Sequence, residues 1–205
     1  MFEHDPVLIH EVESYFISQE PRKYVIDATL GLWWHAKMMI SHMEKEGIFI
    51  GVDRDGDNLE SAKRNLETFA HLWPKIALHH TSFAELENVL DEHRVTNIDF
   101  ILYDLGVSSA HYDDGERGFS LRFDAPLDMR FDRTQWKTAC DLLRELDSRE
   151  LMKIFQLYAD EKKAFFIAEA IVKARGIAPI ETTGDLVKII ETSSFDKKSP
   201  MRVFQ

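Results

Sequence analysis

Over the first hundred residues, short runs that are apolar throughout alternate with longer stretches in which apolar residues recur every three or four positions. Val7, Leu8, Val12, Tyr15 and Phe16 fall on one side of a helix predicted over Pro6 to Ile17. Tyr24 to Thr29 reads as a first strand, His35 to Lys45 as a helix stopping at Gly47, and Ile48 to Val52 as a second strand ending at Asp53. The spacing of Leu59, Ala62, Leu66 and Phe69 predicts a helix over Asp57 to Ala70. Ile76 to His79 and Ile98 to Tyr103 supply strands three and four, with a helix across Ala84 to His93 between them. Strands that are apolar on both faces and alternate with helices belong to a parallel, helix-covered α/β sheet. After Val107 the period changes. About thirty residues with little periodicity lead into helices near Ala139 to Leu146, Arg149 to Tyr158, Glu161 to Arg175 and Thr183 to Thr192. Asp147 with Glu150, and Thr182 with Asp185, have capping-box spacing. The expected organisation is a sheet unit over residues 1–107 and a helical unit over 108–205.

Composition narrows the class. A chain of 205 residues that is 44% hydrophobic can bury one substantial core and a smaller second one. No leader-like start or membrane-length apolar run is visible, and the single cysteine, Cys140, excludes an internal disulfide and a cysteine-cluster metal site. A cytoplasmic protein with no membrane or metal partner is expected. A formal charge of -11 argues against a strong nonspecific grip on DNA or RNA, so any nucleic-acid contact must be local.

The candidate chemistry lies where apolar runs stop at acids. Asp99-Phe100-Ile101-Leu102-Tyr103-Asp104-Leu105-Gly106 delivers Asp104 to the carboxyl edge of the sheet, where open α/β folds bind ligands. Asp53, twenty-two residues after Gly31, fits a carboxylate that accepts hydrogen bonds from ribose hydroxyls; alternatively it caps its own turn with Asp55 and Gly56. The strand-turn-helix passage Asp27-Ala28-Thr29-Leu30-Gly31-Leu32-Trp33-Trp34-His35 exposes backbone N–H groups suited to a carboxylate or phosphate. Two further blocks, Glu116-Arg117-Gly118-Phe119-Ser120 and Pro126-Leu127-Asp128-Met129-Arg130, follow neither helix nor strand period. Specific side chains in apparent loop point to a site.

Together these blocks closely resemble the bacterial methyltransferase family known as RsmH or MraW, which modifies the N4 amine of a cytidine in small-subunit (16S) ribosomal RNA. The resemblance runs from His4-Asp5-Pro6-Val7-Leu8 to Arg202-Val203-Phe204-Gln205. It implies a class I S-adenosylmethionine methyltransferase, a Rossmann-like parallel sheet with a helical domain inserted after strand four. It also implies cofactor contacts at Gly31, positions 33 to 35, Asp53, Phe83, Asp104 and His111. By resemblance, small-subunit ribosomal RNA or the 30S particle is the partner. The cytosine amine, a weak nucleophile, would attack the methylsulfonium carbon, with positioning as the larger catalytic contribution and Asp104 either polarising the amine or holding cofactor near it. Arg117, Arg122 and Arg130, interleaved with Phe119 and Phe123, read as phosphate-binding and base-stacking residues; in the alternative the aromatics pack and the arginines pair with Asp113, Asp114, Asp124 and Asp128.

The chain departs from the family pattern in an ordered way. Where the family turn reads Thr-Leu-Gly-x-Gly-Gly-His, this chain has Trp33 and Trp34 at the last two glycines, and Trp136 also stands at a family glycine. The fourth tryptophan, Trp73, lies in a turn that would accept glycine. Repeated replacement of glycine by one rare residue suggests a gene that encodes glycine with UGA, translated by a table that reads UGA as tryptophan. The alternative is a diverged, inactive homologue with a blocked pocket. Relatives continue past Gln205 with further strands, so strand four is expected to lack its neighbour. Two other function classes compete: a nicotinamide-dependent dehydrogenase, disfavoured because the turn lacks Gly-x-Gly-x-x-Gly, and a noncatalytic RNA- or ribosome-binding module.

Overall fold

The structure is a computed structural model that describes residues 6–18, 22–67, 74–135 and 137–204. Trp73, Trp136 and the end of the helix expected to reach Ala70 lie outside the described residues. The chain forms two compact units, Met1–Ser108 with Phe131–Arg133, and Ser109–Arg130 with Thr134–Gln205.

The first unit runs α1 (Ile9–Ile17), β1 (Arg22–Asp27), α2 (Trp34–Ser41), β2 (Met43–Asp53), α3 (Gly56–Glu67), β3 (Lys75–His80), α4 (Leu86–His93) and β4 (Phe100–Leu102). All pairings are parallel, in the order β3-β2-β1-β4. Register explains the apolar strands: Val25 sits level with Phe49 and Phe100, and Ile26 with Ile50 and Ile101. Successive side chains point to opposite faces, so Val25 and Phe49 join a core with Phe16, Met39, Ile40 and Leu66. Ile26, Ile50 and Val52 join a second core with Leu86 and Val89. Each fully buried Ile or Phe contributes about 1.5–3 kcal/mol, so helices are needed on both faces.

Among the expected boundaries, the one between α2 and β2 departs furthest from the structure. The helix predicted to Lys45 ends at Ser41, and β2 begins at Met43. The Ser41 hydroxyl donates to the Met38 carbonyl at 2.7 Å and the His42 ring contacts the same oxygen at 3.0 Å, drawing that carbonyl away from a continuing helix. Met43 then pairs with Arg22, and the register slips between Arg22 and Tyr24. Gly47 lies in that irregularity. A Cβ there would meet the Lys23 carbonyl oxygen at 2.5 Å, so only glycine permits this backbone approach.

The second unit contains α5 (Ser109–Asp113), α6 (Ala139–Glu145), α7 (Ser148–Leu157), α8 (Ala164–Arg175), α9 (Thr183–Ser194) and α10 (Ser199–Val203). Its core gathers Leu143, Leu151, Ile167, Ile171, Ile190 and Phe204. Both expected capping boxes form, and Thr138 with Asp141 makes a third at the start of α6. Buried Glu161 is held by the Lys163 N–H at 2.7 Å and by Arg202 at 2.8 Å, while Arg202 also bridges to Asp196 at 2.7 Å. Burial alone would raise the Glu161 pKa; the Lys163 N–H, the Ser199 hydroxyl and Arg202 overcome it and hold the carboxyl below its ordinary value. Among the described residues, no helix is long and apolar enough to cross a membrane.

Candidate active site

Three strands deliver acids to one sheet edge. Asp27 ends β1, Asp53 ends β2, and Asp104 follows β4 by two residues. Their register makes this unavoidable, because Asp27 lies level with Gly51 of β2 and with Leu102 of β4.

Asp53 organises the first turn. One carboxylate oxygen accepts the Gly31 N–H at 2.7 Å and the other accepts the Asp55 N–H, also at 2.7 Å. The capping geometry weighed from sequence is therefore present, and Asp53 also clamps the turn after β1 to the turn after β2. Asp104 is exposed: its N–H donates to the Thr29 hydroxyl at 2.7 Å, and its carboxylate stands 3.8 Å from the His35 ring. His35 is buried, and its other ring nitrogen lies 3.0 Å from the Val7 carbonyl oxygen. Phe83, in a 3-10 turn after β3, is 46% exposed and meets Tyr103 edge to face at 5.7 Å. An aromatic face left open at a ligand edge is available for stacking.

Asp27 is the acid that sequence reasoning did not single out, although it obeys the rule used for Asp53 and Asp104. It is 1% exposed, one oxygen accepts the Thr29 N–H at 3.2 Å, and the other has no hydrogen-bond partner among the described residues. Burial, reinforced by the charges of Asp53 and Asp104 against the opposing Thr29 hydrogen bond, pushes its pKa up to about 7. The edge thus carries fewer negative charges near neutrality than its three carboxyl groups imply.

The turn itself is occupied. Trp33 and Trp34 stack with ring centroids 4.6 Å apart, and Lys37 lies over the Trp33 ring. Trp33 is the N-cap of α2 with φ +81°, and its side chain makes no capping hydrogen bond. A tryptophan held in the left-handed region costs roughly 1–2 kcal/mol relative to glycine. Trp34 begins the helix proper, and its backbone makes no such demand.

In the second unit the two aperiodic blocks lie against each other. The Met129 N–H donates to the Arg117 carbonyl at 3.0 Å, and the Arg117 guanidinium donates to the Arg130 carbonyl at 2.8 Å. Gly118 has φ +74°, and a Cβ there would come within 2.4 Å of the Pro126 carbonyl oxygen. Arg117 and Phe119 are buried, as is His111, whose ring lies 5.1 Å from that of Phe119. Arg130 pairs with Asp128 at 2.7 Å. Arg122, paired with Asp113 at 3.4 Å, keeps a side chain that is 66% exposed. Of the three arginines expected to meet phosphate, Arg117 is spent on the loop's own architecture and Arg122 is the one that faces solvent.

The model of the MraW methylase family matches residues 1–205. The chain belongs to the MraW methylase family. It is 38% identical over 193 residues to ribosomal RNA small subunit methyltransferase H of Thermobifida fusca, covering 93% of this chain and 57% of that protein. It is 40% identical over 192 residues to the protein of that name from Caldicellulosiruptor bescii, covering 94% and 61%. The Lactobacillus delbrueckii subsp. bulgaricus protein of the same name is 41% identical over 192 residues, covering 93% and 60%. The chain spans about three fifths of the length of these relatives.

Proposed function

We propose that this chain is the cofactor-binding portion of an S-adenosylmethionine-dependent methyltransferase acting on the N4 amine of a cytidine in small-subunit ribosomal RNA. The observation that carries the reading is the convergence of Asp53, Asp104 and the exposed Phe83 ring at the carboxyl edge of a parallel sheet in a chain of the MraW methylase family.

The residues fit the cofactor at one end of the edge and not at the other. Asp53 suits ribose hydroxyls and Phe83 an adenine ring, whereas the turn that would meet the amino-acid end presents two stacked indoles. The left-handed backbone at Trp33 supports glycine as the residue this fold wants there, in line with UGA-encoded glycine. S-adenosylmethionine, when bound, supplies a methyl group on a cationic sulfur. The chain's own part is positional and electrostatic. Asp53 fixes the turn through the Gly31 N–H, and buried His35 ties the start of α2 to the Val7 segment. Asp104 presents an exposed carboxylate that can accept an amine proton or orient a cationic ligand group. Arg122 is the exposed cation available for a phosphate of a single-stranded RNA segment, and the reacting base must be unstacked to reach a pocket.

In a chain of the relatives' full length with Trp33→Gly and Trp34→Gly, Asp53→Ala is expected to weaken cofactor binding by about 1–3 kcal/mol, the worth of a hydrogen-bonded carboxylate. Asp104→Ala is expected to lower turnover as well. Calorimetric titration and a methyl-transfer assay on a ribosomal RNA substrate read the two effects; unchanged affinity and turnover in both variants overturn the assignment.

A further inference from the structure

His79, Glu92 and His93 come together in the sheet unit although no sequence spacing marks them, and the sequence reading expects no metal there. Strand alternation sends neighbouring histidines of β3 to opposite faces. The His80 ring lies 3.1 Å from the Arg54 carbonyl oxygen, beside the start of α3, while the His79 Nε2 lies 2.8 Å from the Nε2 of His93 at the end of α4. The two rings cross edge to face, with centroids 5.0 Å apart and planes at 77°. Two such nitrogens share at most one hydrogen, so at least one directs a lone pair into the space between them. A Glu92 carboxylate oxygen joins them, and the three ligand atoms all lie within 4.8 Å of one another. The histidines are half-buried and Glu92 is exposed, which leaves the cluster open to solvent on one side. Burial first, then His79 and Lys75 against the opposing charge of Glu92, hold the His93 pKa below its ordinary value.

We propose that His79, Glu92 and His93 bind one divalent cation of the zinc type, through two imidazole nitrogens and a carboxylate oxygen, with a fourth position left to water. Mixed nitrogen and oxygen donors select a borderline cation, whereas magnesium and calcium prefer oxygen throughout. With metal–nitrogen bonds of about 2.0–2.1 Å at a tetrahedral angle, the two nitrogens would stand roughly 3.3 Å apart, so the pair opens by about half an ångström on binding. The bound ion would tie β3 to the end of α4 and stabilise the sheet unit by mass action.

The test is titration of the 205-residue chain with zinc by calorimetry, and with cobalt(II) by visible absorption. One ion per chain, a four-coordinate cobalt spectrum and a raised melting temperature with zinc are expected. His79→Ala and His93→Ala each lose the cobalt spectrum, and His42→Ala, an exposed histidine elsewhere in the unit, retains it. Glu92→Gln, at an exposed position that leaves folding intact, weakens binding and alters the spectrum, so the idea stays testable if a histidine variant fails to fold. Absence of saturable binding by the unsubstituted chain overturns the proposal, as does a Glu92→Gln spectrum and affinity identical to the original.

Discussion

Replacing Asp27 by asparagine removes one titration from the centre of the sheet edge and should change how stability depends on pH. The carboxyl is 1% exposed, and its pKa stands at about 7 against an ordinary 3.8. Its pKa is raised in the folded state, so between those values the native chain holds a proton that the unfolded chain has lost. Stability from this group is fully present below about pH 4, declines as pH rises, and is gone above the folded pKa. A difference of roughly three pKa units corresponds to about 4 kcal/mol at full ionisation, with a slope near 1.4 kcal/mol per pH unit inside the window. Asparagine mimics the neutral acid: its carbonyl can accept the Thr29 N–H, and it cannot ionise. Denaturant unfolding of both proteins at intervals from pH 4.5 to 8.5 reads the effect as a difference curve, in which all other titrating groups cancel. The variant should be close to the original chain at the acid end and more stable by several kcal/mol at the alkaline end. A flat difference curve refutes the argument that Asp27 is buried and raised.

Two further outcomes follow from other parts of the chain. Arg202→Ala leaves the buried Glu161 carboxylate without its guanidinium and should destabilise the helical unit by about 3–5 kcal/mol. Denaturation followed by far-ultraviolet dichroism checks this; because the Glu161 pKa is depressed, the variant's deficit should be largest above the ordinary carboxylate range and shrink as pH falls through the folded value. The three-residue strand β4 has only β1 as a partner among the described residues, and Ile98, Tyr103 and Leu105 beside it are exposed. Such an edge is a template for further pairing, so the 205-residue chain should associate with rising concentration in sedimentation experiments; a monomer at all concentrations contradicts that reading.

The sheet unit was legible because parallel strands buried on both faces leave uninterrupted apolar runs, and because three of the four runs, all but β3, stop at or just before an acid. Asp53 and Asp104 were readable by that rule, and Asp27 was readable by it too, but its turn drew attention to backbone N–H groups instead. The α2 to β2 boundary was not legible, since Ser41 and His42 stop the helix through side-chain bonds to a carbonyl, a competition that periodicity does not register. The five-residue helices α5 and α10 are too short to show a period. Arg117 looked like a phosphate ligand because its sequence neighbours are loop residues, yet the Gly118 turn folds that loop onto Pro126 to Arg130 and buries the guanidinium. The His79, Glu92 and His93 cluster depends on a strand and a helix end meeting in space, and no local pattern announces it.

The central claim is that the turn around positions 33 and 34 is the cofactor-binding turn of a MraW methylase and needs glycine there. Calorimetric titration with S-adenosylmethionine of two full-length forms, one as written and one carrying Trp33→Gly with Trp34→Gly, tests it most directly. The account predicts saturable one-to-one binding by the double variant and weak or no binding by the tryptophan form. Equal affinities in the two forms, or no binding by the double variant, would contradict it.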